Sequence, residues 1–414
     1  MYAKRIFVLL ALGALVSTSV MQAQQSTITL RVVGFKSGNE LGNIPQINAL
    51  FTQENPGIKV EYETIPNDTY NAVMNSRLVA GDTTDVLFGR ARENMSNWVK
   101  ADFVADLSDQ PWTRSLVTSA ASIARVSNKT YQFPTQVVGL GLLYNKTMLE
   151  SVGAKVPQTY AEFLVACDKL KKAGKTPLLI GMKDGWGALL FSTLVAANTV
   201  YVQNPDFDDQ VIAGSAKFSG AAWTSVLRTY DDLTRRGLFD PKINLGVGGF
   251  DQALNEFTAG RVAFVPHGSW TVSGIKKTSP NLQFGFGPFP GGRVGSKPRG
   301  IDLTGVTLMV NAKSKAQDAA KKYIAFWAQD RVLKTYLEKE GSFSTLKGGT
   351  TNLPSEMNSF VQAVSEERTL SFPFQVWPNT GFQDIYVKGI KDYVSGAATA
   401  PSVLSDWDRQ FQPR

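Results

Sequence analysis

Apolar and polar residues along this chain follow two rhythms. Ile28-Thr29-Leu30-Arg31-Val32-Val33 reads as a strand, and Ile58, Val60 and Tyr62 alternate with Lys59, Glu61 and Glu63 as in a half-buried one. Between them Ile44, Ile47, Leu50 and Phe51 mark one face of a helix, which Asn55-Pro56-Gly57 stops. A second helix is predicted over 69–79, closed by Ala80-Gly81-Asp82, and a short buried strand over 85–88. This strand-helix-strand-helix-strand order predicts a parallel sheet with helices on its faces, an α/β fold.

A second series begins after Pro134. Residues 137–144 are strand-like, and Thr159 with Glu162 three positions on forms a capping box for a helix whose buried face carries Tyr160, Phe163, Leu164, Cys167 and Leu170. Lys171-Lys172-Ala173-Gly174 ends it with cations and a glycine. A strand over 177–180 and a helix over 186–197 follow. Further on, the pattern predicts a helix over 253–258, a strand over 262–265, a glycine- and proline-rich loop or crossover over 285–300 and a strand over 306–310. An amphipathic helix over 315–329 and a last helix over 382–394 complete the reading.

The first residues bear on the compartment. Lys4 and Arg5 precede an unbroken small and apolar run, 6–16, and Met21-Gln22-Ala23 ends in a small residue. This is the pattern of a secretory signal peptide cut near Ala23, and the run is too short to span a membrane. No cysteine is near the cut, so lipid attachment there is excluded, and a Gram-negative periplasm is the expected destination. At 414 residues the chain has room for two or three domains. The one cysteine, Cys167, permits no intramolecular disulfide and sits on a buried helix face. The formal charge of +8 is scattered among acids, without a basic stripe or a nucleic-acid-binding module, so no nucleic-acid partner is expected.

The chemistry-bearing motifs are sparse. One histidine, His267, cannot build a multi-histidine metal site, and no cofactor or metal is expected. Gly174-Lys175-Thr176 resembles the end of a phosphate loop, but Lys169 stands where that loop needs a glycine and the segment precedes a strand instead of following one. A serine–histidine pair would have to use His267. Paired carboxylates meet in space and not in sequence, so a secreted carbohydrate-active enzyme stays open as a rival class.

Several stretches together carry a resemblance: FTQENPGIKVEY at 51–62, LVAGDTTDVLFG at 78–89, GLGLLYNKTML at 139–149, PQTYAEF at 157–163, FTAGRVAF at 257–264, GSW at 268–270 and AKSK at 312–315. In this order the chain resembles the family 1 extracellular solute-binding proteins, the group that includes maltose-binding protein. The resemblance implies the two-lobed, type II periplasmic-binding-protein (Venus-flytrap) architecture, two α/β lobes with three hinge crossings. One lobe would take 24–136 and 302–342, the other 137–301 and 343–414. It also implies a monomer without catalysis, which captures a carbohydrate in the interlobe cleft and delivers it to an inner-membrane ABC permease.

A sugar presents C–H faces to aromatic rings and hydroxyls to polar side chains, and loops after strand ends hold both kinds. Trp186, Trp270 and Trp377 are the candidate platforms, the first two placed by the resemblance near ligand-contacting aromatics. Lys36, Ser37, Asn39 and Glu40 follow the first strand, where the family has polar contacts. Arg90 follows the third strand with a fork suited to two hydroxyls or a carboxylate. Asp302, at an expected crossing, binds ligand or braces the hinge; His267 reads as a ligand contact or a satisfied structural residue. The first-strand loop, Phe35 to Gly42, lacks the acidic contact of the maltose binder, so the sugar is not carried over. With Arg90 and the basic balance, an acidic sugar or other organic anion is the alternative ligand.

Overall fold

The computed structural model describes residues 27–411, apart from 67–68, 92–94, 127, 293–294, 350, 378 and 380; the side chains of residues 39, 95–96 and 118–119 are also outside the description. The expected leader therefore lies outside the described residues.

Two sheets, each wrapped by helices, make two lobes. The first runs in the order Ile58–Thr64, Ile28–Gly34, Val86–Arg90, Val306–Val310, Phe133–Pro134. Ile28–Gly34 is parallel to both its neighbours, as the alternation of strands and helices predicts, whereas Val306–Val310 is antiparallel to both of its own. The second sheet is mixed. Its central strand, Val137–Asn145, takes Val262–Gly268 antiparallel along one edge. Along the other edge Gly300–Thr304 pairs with 137–140 and Phe284–Gly287 with 142–145, end to end. The glycine-rich stretch over 285–300, expected as a loop, thus runs from one of these strands to the other. Proline and glycine hid two short strands, which are held by their neighbours and not by propensity. Helices Ala221–Arg235, Asp330–Glu340 and Ala400–Gln410 are further elements that the pattern reading did not pick out.

Several local expectations match closely. Trp186–Gln203 is buried on nearly all sides, as a helix apolar around its circumference should be. At the start of Tyr160–Lys172, Thr159 Oγ1 accepts from the Glu162 amide at 3.3 Å. Glu162 reaches one residue further back than a capping box requires and accepts from the Gln158 amide at 2.7 Å. Cys167 is fully buried, and burial pushes its thiol pKa well up, away from reactivity.

The chain passes between the sheets three times, at Thr135-Gln136, at Gly305 and from Gly341 onward. Gln136 ties the three passages together. Its carbonyl accepts from the Gly305 amide at 3.0 Å, its Oε1 accepts from Ser342 Oγ at 3.1 Å, and the next residue, Val137, exchanges backbone hydrogen bonds with Phe343. Asp302, expected at a crossing, lies inside Gly300–Thr304 of the second sheet, with the passage three residues later.

Candidate functional site

A cavity of about 400 Å³ has walls from both lobes and a floor at the crossings, including Gln136 and Thr304. That volume falls within the usual range for small-ligand sites. The two walls differ in chemistry.

The wall from the second lobe is aromatic. Trp186, Phe250 and Trp270 form a cluster: Trp186 lies 5.6 Å from Phe250 and 5.8 Å from Trp270 between ring centroids, and Phe250 stacks on Trp270 at 6.3 Å and 26°. Trp270 is set by its neighbours. Ser269 exchanges two hydrogen bonds with Gly139 of the central strand, at 2.8 Å through its amide and 3.0 Å through Oγ. The indole then folds back over Gly268, where any Cβ would fall 1.9 Å from the ring, so the glycine of the GSW stretch is a steric requirement. The loops before Trp186 and Phe250 touch through glycines as well, a Cβ on Gly249 meeting the Gly181 carbonyl at 2.3 Å. Buried Asn244 spans the same junction and accepts from the amides of Ile180 and Gly181 at 2.8 and 3.1 Å.

The wall from the first lobe is polar and charged. Lys36 is buried and pairs with Glu340 at 2.8 Å. Glu340 is the last residue of Asp330–Glu340, where the helix dipole disfavours an anion, so the ammonium answers both the dipole and the burial. Arg90 lays its guanidinium over the Phe35 ring at 4.3 Å and donates to Asn71 Oδ1 at 3.0 Å. Glu40 is exposed at the rim and also lines the cavity.

Lys36, Glu40, Arg90, Trp186 and Trp270 are thus brought together in one cleft. Ser37 is exposed beside it without lining it, and the side chain of Asn39 lies outside the described residues. Two candidates are placed elsewhere. Trp377 is buried among Phe218, Phe382 and Phe411, and its Nε1 donates to Asp208 Oδ1 at 2.8 Å. It is a core tryptophan whose one polar atom is satisfied inside the lobe. Asp302 faces Ser371 at 3.4 Å, away from the cleft, and burial raises its pKa. His267 is fully buried behind the aromatic wall, and desolvation lowers its pKa.

Sequence reasoning missed Phe35, Phe250, Phe374, Gln136 and Gln375, all of which line the cleft. Gln375 reads the backbone of Thr304 at both ends, accepting from its amide at 3.0 Å and donating to its carbonyl at 2.7 Å. Phe250 had a local signal: it ends Gly248-Gly249-Phe250, a glycine pair of the kind that permits close backbone approach.

Comparison with known proteins gives the family and the fold. Residues 38–333 match the bacterial extracellular solute-binding protein family. The chain belongs to that family. Among its relatives in sequence, the multiple sugar-binding protein of Streptococcus mutans is 24% identical over 350 residues, covering 81% of this chain and 80% of that one. The melibiose/raffinose/stachyose-binding protein MelE of Bacillus subtilis is 22% identical over 351 residues, 83% and 79% of the two chains. Among solved structures, the solute-binding protein RafE in complex with raffinose superposes with a TM-score of 0.77 at 23% identity, over 93% of this chain and 99% of that one. At that identity the likeness speaks for the shared two-lobed fold of the solute-binding family. Among the described residues no three metal-ligating side chains cluster, and no helix is long and apolar enough to cross a membrane.

Proposed function

We propose that this solute-binding protein captures a neutral oligosaccharide between its lobes and hands it to an inner-membrane ABC permease, without catalysis. The observation that carries the reading is what faces what across the cleft: the clustered rings of Trp186, Phe250 and Trp270 on the second lobe and the side chains of Lys36, Glu40 and Arg90 on the first. A pyranose ring needs both, an apolar platform for its C–H face and directional partners for its hydroxyls. The relatives named as binding melibiose, raffinose and stachyose or multiple sugars support the same class. A neutral guest is favoured because the cleft's charges balance locally. Lys36 is held by Glu340, and Arg90 shares the first-lobe wall with Glu40.

The lobes would rock about Gln136, Gly305 and Ser342, which divides the chain into 24–136 with about 305–342, and 137–304 with 343–414. The protein would work as a monomer in the periplasm after loss of its leader. Calorimetric titration with raffinose, stachyose and a uronic-acid-containing oligosaccharide tests the ligand class, with Arg90→Ala as the variant. Binding of the charged sugar alone, abolished by Arg90→Ala, would replace the neutral reading with the anionic one. Release of new reducing ends beyond one equivalent per protein would establish an enzyme instead.

A further inference from the structure

Phe250 is held by its backbone from two sides, and neither holder lines the cleft. Its amide donates to Asp184 Oδ2 at 3.0 Å, and its carbonyl is 2.9 Å from His267 Nε2. Each holder also grips the turn of a neighbouring tryptophan. Asp184 Oδ1 accepts from the Trp186 amide at 3.0 Å, at the start of the helix Trp186–Gln203. His267 Nδ1 accepts from the Gly268 amide at 2.9 Å, one residue before the Ser269-Trp270 turn. An acceptor at Nδ1 fixes the proton on Nε2, so His267 is the neutral tautomer that donates to Phe250. Its ring also packs against all three aromatics, 5.4 Å from Phe250, 5.7 Å from Trp270 and 6.3 Å from Trp186.

We infer that Asp184 and His267 are positioning residues that lock Trp186, Phe250 and Trp270 into one rigid platform, and so set the cleft's affinity for a ring-faced ligand without touching it. The geometric part stands on these hydrogen bonds alone; the affinity part rests on the carbohydrate reading. The device has a pH sense. A proton on Nδ1 would set a second donor against the Gly268 amide and place a charge in a fully buried site. The charged groups nearest the ring are the carboxylates of Asp184 and Asp251, and burial outweighs their attraction for the cation. Acidification should therefore loosen the platform, and a ring that cannot take the proton should abolish that sensitivity.

The test uses the full mature protein and two readouts. Trp186 and Trp270 are close and inclined at 57°, so they should give an exciton couplet in the ultraviolet circular dichroism of the ligand-free protein. Trp186→Phe serves as the control that removes it. Asp184→Asn, at an exposed position, and His267→Phe, which keeps a ring but neither hydrogen bond, should both weaken the couplet while the far-ultraviolet helix signal stays. Both should weaken raffinose or stachyose binding about threefold to tenfold. Wild-type couplet and affinity should hold from about pH 8 down to about pH 6.5 and fall together only at lower pH, because burial holds the His267 pKa below its ordinary value; in His267→Phe both should be flat with pH. If His267→Phe does not fold, His267→Gln replaces it. A couplet of wild-type strength and pH dependence in Asp184→Asn and the His267 variant overturns the inference, as does a weakened couplet with unchanged sugar affinity. If the wild type binds neither sugar, the carbohydrate reading fails and the couplet alone decides the positioning role.

Discussion

The two walls of the cleft solve different problems. The aromatic wall of the second lobe is built by backbone devices: Gly268 under the Trp270 indole, the Gly181–Gly249 contact, and Ser269 pinned to Gly139. Its rings offer area, and their placement rests on turns that tolerate only small residues. The opposite wall is built by side chains that satisfy one another, Lys36 with Glu340 and Arg90 with Phe35 and Asn71. Area is forgiving of ligand orientation, whereas paired polar groups hold a fixed direction. The comparison teaches that the aromatic wall should govern how tightly a guest is held, and the polar wall which guest is accepted and how firmly the lobe itself is built.

The largest break should come from the polar wall, and in stability. Lys36→Met leaves Glu340 buried without its cation and should cost about 3–5 kcal/mol in urea unfolding. Adding Glu340→Gln should recover most of the loss, and a double variant as unstable as the single would show that the pair is not the cause. Next comes Trp270→Ala, which should weaken oligosaccharide binding by about 2–4 kcal/mol in calorimetry with little change in the far-ultraviolet spectrum. Arg90→Ala removes a guanidinium from the face of Phe35 and should cost about 1 kcal/mol of binding, with the ranking among sugars changing more than the overall affinity.

The smallest effect concerns pH and the back of the aromatic wall. Desolvation holds the folded-state pKa of His267 below its ordinary value of about 6.5, so below that pH the unfolded chain binds the proton more readily. The melting temperature should therefore decline as pH falls through about 6.5, levelling off once the folded-state pKa is passed. His267→Gln should remove that part of the slope. An unchanged slope would assign it to other groups.

The first sheet was the more legible part of the sequence. Its alternating strands 28–34 and 58–64 and the helix 44–54 follow local periodicity, which survives translation into structure wherever one face meets water and the other the core. The second sheet was harder, because its central strand is buried on both faces and two of its partners, Phe284–Gly287 and Gly300–Thr304, are glycine-bearing segments held only by long-range pairing. In the site, Trp186 and Trp270 were readable because they lie beyond strands where the family resemblance expects aromatics, and Arg90 because it ends the strand Val86–Arg90. Trp377, ahead of the helix expected over 382–394, was a candidate as a tryptophan in a loop without a predicted strand end before it. Asp208, distant along the chain, satisfies its indole inside the lobe, and no local pattern announces such a partner. Phe250, Gln136 and Gln375 escaped notice because their roles depend on loops from separate segments meeting.

The order in which the first sheet is completed has a consequence for biogenesis. The edge of Val86–Arg90 is closed by Val306–Val310, more than half the chain later. Until that late strand emerges, a nascent chain carries an apolar, unpaired ribbon, the kind of surface that invites aggregation or a chaperone's grip. The same delay keeps the early segments from setting into a finished lobe, so that a chain bound for export would stay threadable until about three-quarters of it has been made.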